Sequence, residues 1–344
     1  MYPGGIGFLG VAALLISIVS SAHAVTIDWV TVGDPGNAAD DTGYGAVSDS
    51  YRIGTYEVTI AQYADFLNAV AETDPHSLYN PSMASDLSIA GISRSGTSGG
   101  YSYSVINNGG PSGNRPITYV SWFDAARFAN WMQNGQGSGS TETGAYTLSG
   151  ATSGDAPAVN SGAQFYVPTE DQWYKAAYYK GGSTNAGYWD YATQSDTAPG
   201  NTIGSGSNQV NWYAGDYAVT HAADWDENQN YLTDVGAFTN SASTYGTFDQ
   251  NGNVFEWNDL TAAASSVRGW RGGDWEYGGS FYLRSSERDI EFDPSYETPN
   301  IGVRLASPVA VPEPSTYCMA LAGLACGGHL VFQRKRTSSG KGCS

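Results

Sequence analysis

The chain has 344 residues, room for one large domain or two modest ones, and carries 44 glycines, 24 tyrosines and 10 tryptophans with only 14% charged residues. Many glycines and rings with few lysines point away from a helical bundle and toward a loop-rich fold pinned by large side chains. The formal net charge of -18 excludes a nucleic-acid surface, because phosphate contacts need clustered Lys and Arg; an acidic surface suits an exported protein.

Residues 6–19, IGFLGVAALLISIV, are an apolar run followed by SSAHA. Ala22, His23 and Ala24 then supply a small-x-small cleavage site, so residues 1–24 read as a secretory signal peptide, although MYPGG lacks the usual Lys or Arg. Residues 25–50 are polar and rich in turn-formers. Tyr51 to Thr59 alternates as a strand, and Thr59 caps a helix in which Ile60, Tyr63, Ala64, Leu67 and Val70 recur at helical spacing. From Pro75 to Gly113 the chain is Ser- and Gly-rich, predicting loops with short strands. A strand is expected to end at Val120, followed by a variant capping box, Ser121 with Asp124, and the apolar stripe Trp122, Ala125, Ala126, Ala129 and Met132. Thr169 and Gln172 give a second capping box, with Gly181 as its C-terminal stop. Beyond it, short strands, glycine turns and aromatic anchors run to Ser307. The pattern predicts one α+β domain, residues 25–310, with two or three short helices on an irregular, mostly antiparallel scaffold.

The tail, residues 311–344, holds Pro312-Glu313-Pro314, a mostly apolar stretch from Tyr317 to Phe332, and the basic group Arg334, Lys335 and Arg336. Sixteen residues are slightly short for a span, and the basic group fits a cytoplasmic stop. This order resembles the PEP-CTERM sorting signal. That resemblance implies an exosortase-type partner, transient membrane anchoring and a destination at the cell surface or matrix; a plain anchor is the alternative. All three cysteines, Cys318, Cys326 and Cys343, fall in this tail. The domain therefore has no disulfide, no thiolate nucleophile and no sulfur ligand. Its histidines are His76 and His221 alone, and no nucleophile-elbow pattern accompanies them.

Five segments in order, YRIGTYEVTIAQYADFLNA, RPITYVSWFDAARFANWM, YVPTEDQWYKAAYY, GTFDQNGNVFEW and RGGDW, with LRSSERD and IGVRLA following, resemble the sulfatase-modifying-factor family of formylglycine-generating-enzyme-like domains. The resemblance covers about Tyr51 to Ala306 and implies an elaborated C-type-lectin-like fold. Catalytic members hold copper with two cysteines five residues apart after the Gly-Gly of an RGGSW-like motif, and soft thiolates select that ion. In register with Gly272-Gly273 those places fall at Tyr277 and Tyr282; a two-residue slide gives Trp275 and Ser280. No register supplies sulfur, and Asp274 replaces the common serine, so copper and oxidase activity are not expected. The three-histidine iron site of the related sulfoxide synthases cannot be assembled from two histidines either.

The resemblance also implies calcium. Asp249 is then the first ligand, Gly252 and Val254 give carbonyls and Glu256 a carboxylate, all hard donors; a self-satisfied turn is the alternative. A second calcium would draw on Asn201 with Asp224 and Asp226, against a plain solvated turn. In ERDIEFD, strand alternation would place Glu287, Asp289, Glu291 and Asp293 on one solvated face, or make a further cation or sugar-hydroxyl site. Arg271, Arg284, Arg288 and Arg304 are expected to pair with buried acids. Asp274, Trp275, Tyr277 and Tyr282, with Phe281, are candidate walls of a ligand groove, about half of the rings being expected in the core. The expected function is an exported, calcium-stabilised binder of extracellular polysaccharide or matrix. The alternatives are an enzyme of unknown reaction built on carboxylates and tyrosines, or a structural matrix protein.

Overall fold

Three helices start where the caps place them. In the structure, a computed structural model that describes residues 24–309, α1 is Ile60–Val70, α3 is Trp122–Gln133 and α4 is Glu170–Tyr178. Each has a complete capping box: Thr59 with Gln62, Ser121 with Asp124, and Thr169 with Gln172. Two of the orphan amide groups at each helix start are thereby satisfied by side chains rather than by water. A further one-turn helix, α2 (Ser82–Ser85), follows Pro81 inside the Ser- and Gly-rich stretch, where the fixed φ of proline favours entry into a turn. The signal-peptide and tail expectations lie outside the described residues apart from Ala24. Among the described residues no helix is long and apolar enough to cross a membrane.

The strands are short and fall into three sheets. β1 (Trp29–Val32), β2 (Tyr51–Gly54) and β9 (Ala306–Pro308) form an antiparallel sheet that ties both ends of the domain together. β3 (Ile92–Ser95) and β4 (Ser102–Val105) are a hairpin. The third sheet has the order β7-β6-β5-β8, with β5 (Phe255–Asn258), β6 (Arg268–Arg271), β7 (Asp289–Phe292) and β8 (Ile301–Gly302). Only the β5–β8 pair is parallel.

Three expectations are corrected. The strand ending at Val120 does not form: Pro116 makes a single bridge with Thr59, and Ile117 N donates to Val58 O. Proline lacks the amide a ladder needs, and Tyr119 then turns left-handed, with φ of 56°. The alternation of ERDIEFD also breaks. Glu291 has φ of 75°, and the β6–β7 register shifts between Arg268 and Trp270, so Asp289 and Phe292 do not obey a period of two. The helix expected to stop at Gly181 ends earlier, since Tyr179 is already extended.

The core lies between α1, α3 and the third sheet. Phe66 of α1 meets Phe128 edge-on at 5.4 Å and Trp131 at 5.4 Å, both from α3. Trp257 and Trp270 sit opposite each other on β5 and β6, and Trp257 Nε1 donates to Val120 O at 3.0 Å. Rings of this size supply both apolar area and directional contacts.

Arginines enter this interior. Arg304, fully buried, donates Nε and Nη2 to the two oxygens of Glu256 at 3.0 and 2.7 Å, and its remaining donors reach Gly54 O and Phe248 O. Arg268 pairs with buried Asp259 at 2.7 Å. Arg271 and Arg288 both grip Glu170, the first residue of α4. The pairing expected for Arg284 does not occur; it is exposed and donates to Tyr191 Oη. Replacing Arg304 with alanine leaves Glu256 buried without a counter-charge, which is expected to cost about 3–5 kcal/mol. Urea unfolding of Arg304→Ala measures this, and a loss under about 1 kcal/mol would contradict the role.

Candidate functional site

The segment Arg271–Asp289 leaves β6 through two glycines whose backbone no other residue fits. Gly272 (φ 108°) would bring a Cβ to 2.8 Å from Gln250 O, and Gly273 (φ 75°) to 2.6 Å from Leu283 Cδ2. Asn251 clamps the turn to its surroundings: its Nδ2 donates to Leu283 O at 2.7 Å and its Oδ1 accepts from Ala192 N at 2.8 Å. The chain then passes through a single 3-10 turn, Ser280–Leu283, before re-entering the sheet as β7.

This path opens a groove of about 350 Å³. Its walls are the rings of Phe255, Trp270, Tyr277, Tyr282, Phe292 and Tyr296, and its polar groups come from Asp289, Thr298 and Asn300. Tyr277 and Tyr296 are each 48% exposed, so their faces are open to a ligand. Tyr277 and Tyr282 stand 5.4 Å apart, tilted by 37°. Asp274 lies behind the wall, 1% exposed. It accepts from Tyr277 N at 2.8 Å and from the Asn300 amide, while Asn300 Oδ1 accepts from Thr298 Oγ1 at 2.8 Å. Asp274 is thus a positioning residue that sets both Tyr277 and Asn300. Burial pushes its carboxyl up to about 7.

Trp275 turns the other way. It is 1% exposed and stacks on Tyr231 at 5.2 Å with a 4° angle and on Trp225 at 5.5 Å. Its size and the stack waiting for it take it into the interior. Of the five expected groove residues, Tyr277 and Tyr282 line the groove, Asp274 supports it, Phe281 is exposed against Tyr282 outside the lining, and Trp275 belongs to a separate stack. Phe255, Trp270, Phe292, Tyr296, Thr298 and Asn300 were not foreseen. They come from β5 to β8 and the loop before β8, and only the sheet pairing brings them together. Asp289 did stand out in the sequence, within its acidic run. A larger open hollow of about 550 Å³ lies beside α1, lined by Asp28, Glu57, Asp65 and Asp234, with Tyr56 its one ring.

The expected metal residues divide. Asp249 (φ 59°), Gly252 (φ 76°) and Asn253 (φ 60°) form one left-handed turn. A Cβ on Gly252 would stand 2.3 Å from Asn211 O. Asp249 Oδ2 accepts from Gly236 N at 2.6 Å. Val254 and Glu256 follow directly, but Glu256 gives both oxygens to Arg304 and also accepts from Trp173 Nε1 at 2.8 Å. Asn201 is buried and donates to Asp216 at 2.8 Å, whereas Asp224 and Asp226 are exposed and Asp226 accepts from Asn228 N. Among the described residues no three acidic, histidine or cysteine side chains converge to hold a metal ion.

Residues 35–309 match the model of the sulfatase-modifying factor enzyme 1-like domain. The chain belongs to this family. The crystal structure of CarF shares the fold, at 18% identity and a TM-score of 0.50, covering 83% of this chain and 100% of that one. Treponema denticola variable protein 1 aligns at 18% identity and a TM-score of 0.46, over 84% of this chain and 98% of its own. PvdO from Pseudomonas aeruginosa aligns at 17% and 0.40, over 82% and 92%. No curated protein matches the sequence. The fold is α+β and formylglycine-generating-enzyme-like, irregular and loop-rich. In this sulfatase-modifying-factor domain Tyr277 and Tyr282 are neighbours in the groove wall.

Because Asp274 is raised by burial, its ionisation opposes folding. The stability it contributes is complete below the unfolded carboxylate value near 4 and is lost as the pH rises through about 7. Carboxyl-detected NMR is expected to show Asp274 titrating about three pH units above ordinary aspartates; an ordinary value would contradict its seclusion.

Proposed function

We propose that this member of the sulfatase-modifying-factor family is an exported, surface-sorted protein that binds glycan or another matrix component through the Tyr277–Tyr282 groove. The observation that carries the reading is the groove itself: six ring walls, two of them half exposed, around a few hydroxyl, amide and carboxylate groups. Sugar rings offer an apolar face and a hydroxyl rim, which this combination suits. Oxidase chemistry of the copper type needs thiolates, and the chain's cysteines all lie beyond residue 310. Paired-carboxylate hydrolysis needs two acids across the substrate, and Asp289 is the single carboxylate lining the groove. The signal-peptide pattern and the PEP-CTERM-like tail support export, exosortase handling and a temporary membrane anchor.

Calcium is part of the proposal, as a structural ion. Burial raises the carboxyls of Glu57 and Asp249, and Glu57 Oε2 has no hydrogen-bond partner. With Glu256 they all act on the single guanidinium of Arg304 without converging on one point, so the hard donors of the proposal are one carboxylate and backbone carbonyls of the turn. Asp249 and the carbonyls of Gly252 and Val254 would hold the ion, while Glu256 stays with Arg304. Asn201, Asp224 and Asp226 offer weaker support for a second ion.

Isothermal titration against cell-surface polysaccharide, with and without EDTA, tests the reading. Binding is expected, and Tyr277→Ala or Tyr282→Ala should weaken it by about tenfold, the scale of one aromatic contact. No heat under either condition overturns it. Metal analysis of the purified protein should find calcium; stoichiometric copper would overturn the non-oxidase assignment.

A further inference from the structure

The groove is anionic as well as aromatic. Among the described residues no lysine, arginine or histidine lines it. The arginines nearest in sequence are committed elsewhere: Arg268 to Asp259, and Arg271 and Arg288 to Glu170. Arg271 spends a further donor on the carbonyls of Ser285 and Glu287. Its charge does reach Asp289, but Glu170 and Asp171 together offset the two guanidinium charges of Arg271 and Arg288. Asp289 thus remains the one charged group in the wall. Asp274, Glu276 and Asp289 all act on Tyr277 and make its phenol harder to ionise. Burial raises all three carboxyls; at Asp289 a hydrogen bond from the Trp270 side chain, and then the charge of Arg271, only partly counter this.

Six rings around a lone carboxylate is the arrangement that selects an organic cation. The ring faces attract positive charge through their quadrupoles, and the carboxylate supplies a directional, charge-assisted partner. Uronate or sulfate groups meet the opposite field, reinforced by the chain's net charge of -18. A wholly neutral glycan leaves the half-buried Asp289 without a counter-charge. We infer that the groove takes a glycan bearing a primary ammonium, an amino-sugar polymer with free amines, with the ammonium at Asp289 between Tyr277 and Tyr296. This rests on the glycan reading of the groove and names its ligand class.

Titration with hexamers of glucosamine, N-acetylglucosamine and galacturonate separates the two ideas. The glucosamine hexamer is expected to bind about tenfold to thirtyfold tighter than its acetylated form, the range of a partly desolvated cation–π contact, and the galacturonate hexamer not at all. Asp289→Asn, near-isosteric, should bring the ratio of the first two affinities close to one. In wild-type protein the ratio should also shrink when salt rises from about 0.05 to about 0.5 M, because ionic attraction is screened. Equal binding of the amine and acetylated hexamers overturns the inference while leaving the glycan reading standing. So does a ratio unmoved by both Asp289→Asn and salt. No binding of any hexamer to protein with an unchanged melting temperature removes both.

Discussion

The fold depends on arginine side chains carried into the interior and satisfied there. A domain with strands of two to four residues has few long ladders to position its loops, so its backbone carbonyls need other donors. Guanidinium groups meet that need because one planar fork can grip a carboxylate and reach two carbonyls at once. Arg304 joins β2, the turn before β5 and β5 itself through Gly54, Phe248 and Glu256. Arg271 and Arg288 converge on Glu170 and so fasten the start of α4 to the segment that builds the groove. Replacing such pairs by apolar residues is often tolerable for stability, but removing one partner is not. The arrangement therefore fixes geometry more than it adds free energy.

The aromatic residues divide the same segment into an inside and an outside. Asp274 holds the backbone of Glu276 and Tyr277, and on either side of that anchor Trp275 and Tyr277 go to different environments. Trp275 completes a parallel stack with Tyr231 and Trp225. Tyr277 faces the groove beside Tyr282 and Phe255. A rigid stack on one side is what lets a short, glycine-rich stretch present rings on the other without a long strand or helix beneath it. Binding surfaces benefit from this, since side chains already held in place lose less freedom when a ligand arrives.

Local chemistry was legible in the sequence and long-range chemistry was not. The capping boxes at Ser121 and Thr169 are written within four residues, and the helices begin at them. The pairing of Arg271, Arg288 and Arg304 with acids followed from their scarcity among so many carboxylates. Pro116 defeated the strand expected before Val120, because an apolar alternating pattern does not show whether a partner ladder exists. The groove residues from β5 to β8 are separated by up to about forty-five positions in the chain, and nothing local marks Phe255 and Tyr296 as neighbours. Asp289 illustrates both cases. Its place in an acidic run was visible, yet its seat among the rings follows from its pairing opposite Trp270 across a shifted β6–β7 register.

In the first of the two registers read from the sequence, Tyr277 and Tyr282 stand where catalytic relatives are expected to carry cysteines, and that difference would change what the backbone can offer a ligand. Two thiolates would concentrate negative charge and softness at one point, as Cu(I) requires. Two tyrosines offer extended faces, each with a hydroxyl that can donate and accept. Raised by burial and by the neighbouring acids, Tyr277 is still harder to ionise. The charge that remains in the groove therefore comes from Asp289 and from the acids behind the wall. On the proposed reading of the groove, ring faces would set a ligand's position and one carboxylate its polarity.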